Sequence, residues 1–338
     1  MRSWPRFIFA RATFFVGALF AVTTFSFLLV NVLPGDPARV IAGNLATDER
    51  VERIEQELGL DEGLGSRYVD YMSGVAHGDL GTSFYTRRAV RSEIADRLPA
   101  TVELVALSLG LALTVGISLG CLSAVFAGRV IGRASRTFVT LTQAVPDFFL
   151  GLLLIYFLFF VLRWAPAPSG RLDFADLPPP DKTGSLFIDA ALAGEWSTLV
   201  SALRHAILPV LTLGAVYSAF IARITRATVT EALRSEQAQF ARAAGLRGRT
   251  VLWYALLEAR TSILTYSAML FAALIGGAAI VESVFAWDGV GPWAIDAIIR
   301  LDLPAIQGFV LAAGAITLLT YTLLDVLVAV LDPRVRYG

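Results

Sequence analysis

The chain has 338 residues, 56% of them hydrophobic and 17% charged, with no net charge and a mean hydropathy of +0.66. Ordinary soluble domains are about 25% charged, so a water-soluble fold of this size is excluded and a bilayer is the natural solvent. A balanced charge also argues against a nucleic-acid partner, and a single cysteine, Cys121 in an apolar run, permits no intramolecular disulfide.

A span needs about 20 apolar residues to cross about 30 Å of hydrocarbon. Arg11 and Asp36 bracket 24 residues without Asp, Glu, Lys or Arg, which predicts a first span near 8–31. Its basic start resembles a secretory signal, but the run far exceeds a signal core of about 7–15 residues and no small-x-small site ends it, so it is expected to stay uncleaved. Residues 31–98 follow as a patterned segment. Thr47 can cap a helix through Val51, Ile54 and Leu58 that Gly59 ends; a second piece runs from Tyr68 to Val75 and stops at Gly78; a third lies near Val90, Ile94 and Leu98.

Five more spans are expected near 99–127, 137–162, 204–224, 260–281 and 306–330. The third span is interrupted only by Asp147, which follows Pro146. A charged acid facing lipid at mid-bilayer costs roughly 2.5–3.5 kcal/mol, so Asp147 is expected to face the bundle or a wet pathway, either as a pathway carboxylate or as a structural or protonated acid bonded to a neighbouring helix. Residues 163–200, with Pro166, Pro168 and Pro178–Pro180, read as largely irregular. Residues 225–259 are polar, arginine-rich and free of proline, so they read as helical; Glu231 to Leu246 can form one helix that Gly245 terminates. With the N-terminus inside, the inner segments carry 15 Lys and Arg against 4 acids, and the outer ones 13 against 20. The tight turn holding Arg129, Arg133 and Arg136 is the stronger sign that both termini face the cytoplasm.

Sites of chemistry are few. The sole lysine, Lys182, sits among prolines, so no phosphate-binding loop can form and the chain is not expected to hydrolyse ATP. His77 and His205 are isolated, so no metal site is expected. Gly116-Ile117-Ser118-Leu119-Gly120 matches a hydrolase G-x-S-x-G, but lies mid-span, where G-x-x-x-G reads as close helix packing. Gly276 and Gly277 read the same way.

The remaining motifs occur in register along nearly the whole chain: Leu33-Pro34-Gly35-Asp36-Pro37-Ala38, Leu58-Gly59-Leu60-Asp61, Gly78-Asp79-Leu80-Gly81-Thr82-Ser83, Arg97-Leu98-Pro99-Ala100-Thr101-Val102-Glu103-Leu104, Ala241-Arg242-Ala243-Ala244-Gly245-Leu246, Val281-Glu282-Ser283-Val284-Phe285 and Leu331-Asp332-Pro333-Arg334-Val335-Arg336. Together they resemble the first permease subunit of peptide ABC importers, the dipeptide, oligopeptide and nickel family.

That resemblance implies an all-α polytopic membrane protein with the type-I ABC importer fold and about six transmembrane helices, in a bacterial inner membrane. It implies a homologous second permease, two ATP-binding subunits or domains that hold ATP and Mg, and an external binding protein that delivers peptide; no cofactor is expected in this chain. It assigns Ala241, Arg242, Ala243, Ala244, Gly245 and Leu246 to the cytoplasmic loop that docks into the ATPase, with one departure: the family usually has Lys where Ala244 stands. Asp147 becomes a candidate for the translocation pathway, where it could attract a peptide's amino terminus. The expected organisation is a first span plus an extracytoplasmic helical subdomain over 1–96, a five-helix core over 97–331 with the coupling loop near 231–249, and a cytoplasmic tail over 332–338. The outer subdomain, over 40–97, is expected to form part of the docking surface for the binding protein, or else to be a lid that covers the ends of the spans. The competing classes are a secondary transporter, against which no internal repeat is visible, and an intramembrane hydrolase built on Ser118.

Overall fold

The computed structural model describes residues 4–32, 37–43, 46–57 and 59–331. The expectations placed on Leu33-Pro34-Gly35-Asp36 and on the tail 332–338 lie outside the described residues. The described residues divide into two compact units, one of residues 102–287 with 320–331 and one drawn from 4–101 with 288–319. Every element is helical, and the only strand-like pairing among the described residues is an isolated bridge between Thr82 and Ala89.

The unit built from 4–101 and 288–319 opens with α1 (Trp4–Val32), a long apolar helix, followed by the short helices α2 (Pro37–Ala42), α3 (Asp48–Glu57) and α4 (Leu64–Ala76). α3 and α4 end as their glycines predict. Gly59 and Gly78 adopt φ of +64° and +76°, and the next amide reaches back into the helix, Leu60 N–H to Glu55 at 2.9 Å and Asp79 N–H to Gly74 at 2.9 Å. The third expected piece is not separate. Val90 opens α5 (Val90–Val125), 36 residues that run through Pro99. Proline removes one intrahelical bond, but Val90, Ile94 and Leu98 pack with Trp293, Ala297 and Ile306 in a buried cluster that holds the segment helical.

That cluster draws on α12 (Val290–Ile299) and on the start of α13 (Leu303–Leu331). Asp302 joins the parts. Its carboxylate accepts from Ser83 Oγ at 2.5 Å and Phe84 N–H at 3.1 Å, while its carbonyl accepts the N–H of Ile306 at 3.0 Å. Glu93, 1% exposed, accepts from Trp293 Nε1 at 3.1 Å, and Thr101 Oγ1 accepts from Val290 N–H at 2.9 Å.

The other unit is organised around α9 (Trp196–Arg234), against which α6 (Val130–Gln143), α7 (Asp147–Leu154), α8 (Leu186–Ala193) and α11 (Gly248–Val284) pack. Two of its helices outrun the apolar windows that predicted them: span four was expected over 204–224 and span five over 260–281. A hydropathy window stops where polar residues begin, but the flanking residues 196–203, 225–234 and 249–259 contain no Pro or Gly, so the helices run on past it. The expected third span, 137–162, is not one straight helix. α6 and α7 meet at 104° across residues 144–146, and α7 continues as a π-helical stretch over Ile155–Val161. Pro146 explains the break: it disfavours helical backbone at Val145 and offers no N–H, and its own ψ is 142°. Among the described residues five helices are long and apolar enough to cross a membrane, six if the bent pair counts as one span.

The mid-span glycines bring helices together. A Cβ on Gly116 would fall 2.7 Å from Ile221 Cβ, and one on Gly120 would fall 2.5 Å from Thr225 Cβ. Only hydrogen fits there, so α5 lies directly on α9. Ser118 donates to Thr114 carbonyl in its own helix at 2.7 Å, and among the described residues no hydrogen bond joins it to a histidine or an acid.

Candidate functional site

Residues 235–249 differ from the single helix expected over 231–246. α9 ends at Arg234, Ser235 turns to extended backbone with ψ 156°, and α10 (Glu236–Ala243) begins afresh. Ser235 Oγ caps it by accepting from Ala238 N–H at 3.3 Å, which satisfies one of the first-turn amides that lack helical partners. At the other end Gly245 takes φ +79°; its N–H donates to Arg242 carbonyl at 3.0 Å, and Leu246 N–H donates to Ala241 carbonyl at 3.0 Å. The paired bonds form a Schellman cap, which needs a left-handed residue at the position Gly245 fills.

α10 is amphipathic in an uneven way. Ala238 and Ala241 are buried against Val251 of α11 and Leu233 of α9. Around them Phe240 is 76% exposed, and Arg242, Ala243, Ala244, Gly245, Leu246, Arg247 and Arg249 are all exposed. The small alanines allow α10 to lie close on the ends of α9 and α11, leaving a ridge of one aromatic and three arginines for something else to hold.

Asp147 lies at the start of α7, half-buried, and one carboxylate oxygen accepts the N–H of Phe148 at 2.8 Å. The other turns toward α11: a Cβ added at Gly277 would sit 3.4 Å from Asp147 Oδ2 and 2.8 Å from Tyr217 Oη. Tyr217 donates to Ala273 carbonyl at 3.1 Å. The carboxylate therefore faces α9 and α11 rather than standing alone on an apolar surface, and no cation lies within ion-pair distance of it among the described residues. The loop and Asp147 keep separate neighbours. Gly277 packs as the sequence suggested, whereas Gly276 meets nothing within 4 Å.

In the sequence Glu103 is one member of the Arg97–Leu104 motif, with no role of its own. In the structure it fastens the segment 163–185: its carboxylate pairs with Arg171 and accepts from Ser185 Oγ at 2.5 Å and from Phe187 N–H at 3.2 Å. The Arg171 guanidinium also lies 5.3 Å from the Trp287 ring. Beside it, Asp189 is 3% exposed. Burial alone would raise its carboxyl, but bonds from the backbone N–H groups of Lys182 and Thr183 and from the Thr183 hydroxyl outweigh burial and hold it below its ordinary value. The partners of Glu103 lie 68 to 84 residues away in sequence, so no local pattern announces them.

A polytopic helical chain with close-packed spans and an exposed, capped helix α10 between α9 and α11 has the build of a membrane-embedded component. The comparisons agree. Residues 116–337 match the family described as binding-protein-dependent transport system inner membrane component, and residues 5–105 match its N-terminal companion. The chain belongs to that family, and its fold is the family's all-α, type-I importer architecture. It is 40% identical over 318 residues to the probable D,D-dipeptide transport system permease DdpB of Escherichia coli K12, covering 94% of this chain and 93% of that one. It is 36% identical over 334 residues, 98% of each chain, to the di/tripeptide transport system permease DppB of Pseudomonas aeruginosa. A solved inward-facing methionine ABC transporter is similar at a TM-score of 0.48 and 17% identity, over 69% of this chain and 93% of that one.

Proposed function

We propose that this chain is one of the two pore-forming permeases of an ATP-driven peptide importer, forming half of the path for di- or oligopeptides delivered by an external binding protein. The observation that supports it best is similarity of 35–40% over almost the full length to permeases of dipeptide and di/tripeptide systems. On this reading ATP and Mg are held by two separate ATP-binding subunits or domains, and a homologous second permease completes the pore. Both termini face the cytoplasm of a bacterial inner membrane, with residues 163–200 and the helices α2 to α4 outside. The segment Ala241, Arg242, Ala243, Ala244, Gly245 and Leu246 is the surface that the ATPase holds.

A pore is moved only by something that contacts its two states differently. Closure of the ATPase dimer would displace α10, and through the buried Ala238, Ala241 and Val251 contacts it would shift the ends of α9 and α11. Asp147 serves as a carboxylate on the path, drawing the peptide's ammonium group toward the bend between α6 and α7. Purification of the tagged chain tests the assembly: it should bring down two ATP-binding subunits, a second permease and, with peptide present, a binding protein. A chain that purifies alone from active membranes would contradict it.

A further inference from the structure

A second polar feature of this unit has no role in the reading above. Between α6 and α9 lies a cleft of about 630 Å³ whose walls carry Arg136, Thr140 and Gln143 from α6 and Arg223, Arg226 and Thr230 from α9. No Asp or Glu lines it. Among the described residues none of the three arginines is in an ion pair; Arg136 donates to Ala127 carbonyl at 3.1 Å, and Arg223 rests 6.0 Å from the Phe220 ring. Gln143 Nε2 is buried and makes no hydrogen bond. A cleft furnished with guanidiniums, an unmatched amide donor and hydroxyls calls for an acceptor, and guanidinium matches a carboxylate with two parallel bonds.

The faces of α6 decide between lipid and water. Arg136, Val139, Thr140 and Gln143 recur at i, i+3, i+4 and i+7, so they form one face, and it lines the cleft. Ile131, Phe138 and Leu141 lie on the opposite face and are 53%, 47% and 63% exposed. α6 thus offers its apolar side to hydrocarbon and turns its cationic side away from it. We infer that the cleft is a wet station on the inward part of the path, where Arg136, Arg223 and Arg226 hold the carboxylate end of the peptide before release. This rests on the peptide-importer reading. Arg223 and Arg226 are exposed, so their charge stays solvated and the hold stays weak, as a transit site requires.

The test uses the complete importer with its binding protein in liposomes, comparing wild type, Arg223→Gln/Arg226→Gln and Arg223→Lys/Arg226→Lys for uptake of a labelled dipeptide. Loss of a charge-assisted hydrogen bond predicts uptake about tenfold slower in the Gln variant. The Lys variant should recover most of the rate, and both variants should co-purify with the ATPase at wild-type ratio. A wild-type complex that imports no peptide would overturn the importer reading, and this inference with it. Peptide import by wild type with equal rates in the Gln variant would overturn the cleft alone. Equal loss in the Lys variant would make the arginines structural, and loss of ATPase co-purification would make them a subunit contact. A defect seen in phosphatidylglycerol liposomes but not in phosphatidylcholine would assign the cleft to an anionic lipid headgroup; each of these results contradicts the inference.

Discussion

Leu246 donates its backbone N–H to the carbonyl of Ala241 across Gly245, 3.0 Å away, and that bond sets where α10 stops and where the chain turns toward α11. Gly245 has φ +79° and nothing within 4 Å of the place a Cβ would take. Substitution there is therefore limited by backbone conformation and not by space. A β-branched residue at left-handed φ costs about 1–2 kcal/mol or more, whereas Asn tolerates it. Gly245→Val should reach the membrane at normal level, bind the ATPase less and lose peptide uptake; Gly245→Asn should stay near wild type. Wild-type uptake by Gly245→Val at matched protein level would count heavily against this loop as the coupling element.

Gly120 and Ser118 separate the two readings of G-x-S-x-G. At Gly120 a Cβ would meet Thr225 Cβ at 2.5 Å and Ala222 carbonyl at 2.9 Å, so Gly120→Val must push α5 off α9, at about 1–3 kcal/mol for overpacking. Gly110, with nothing within 4 Å, is the control. Thermal unfolding of the detergent-purified complex should fall for Gly120→Val and hold for Gly110→Ala. Ser118→Ala should leave transport intact; loss of transport there, at normal stability, would reopen the hydrolase reading.

The fastening of residues 163–185 through Glu103 predicts a local effect. Glu103→Ala removes the carboxylate that pairs with the partly buried Arg171 and the acceptor of Ser185, a loss of about 2–3 kcal/mol to that segment. Limited proteolysis should then cut within 163–185, where wild type resists. Asp189 adds a pH limit. Its folded-state pKa is lowered, so its contribution is present above the ordinary carboxylate pKa of about 3.9 and disappears as pH falls through the lower folded value. Protection should be intact at pH 5 and lost only in stronger acid; loss already at pH 6 would contradict this.

Asp147 faces Gly277 and the Tyr217 hydroxyl with no cation paired to it among the described residues. Asp147→Asn keeps the size and the bond from Phe148 N–H and removes the charge. If the carboxylate attracts the peptide's ammonium group, uptake should fall severalfold at normal expression, and Asp147→Glu should restore part of it. Unchanged uptake by Asp147→Asn would rule out a role that depends on charge.

Much of this architecture can be read from residue order, for identifiable reasons. Glycines that close α3, α4 and α10 act locally, so their effect on the chain is visible without tertiary context. The spans follow from apolar run length, because the bilayer imposes that length. What escaped depends on distant partners or on geometry. Glu103 and Asp302 mark the ends of apolar runs, yet their role is to bind Arg171 and Ser83, 68 and 219 residues away. Pro146 announces a break, but the 104° turn is set by how α7 packs on α9 and α11. Ser235 is one residue among many polar ones until its hydroxyl caps α10. The arginines of the α6–α9 cleft look like ordinary basic charge in the sequence until Arg136 is seen on the side of α6 opposite its apolar face, lining one cleft with Arg223 and Arg226.

The most direct test of the central claim is dipeptide uptake into liposomes that contain this permease with its second permease and ATP-binding subunits, the binding protein outside and ATP inside, and no ion gradient. Uptake should require both ATP and the binding protein, and peptide should raise the rate of ATP hydrolysis. Uptake that proceeds without ATP when a proton or sodium gradient is imposed would contradict it and identify a secondary transporter.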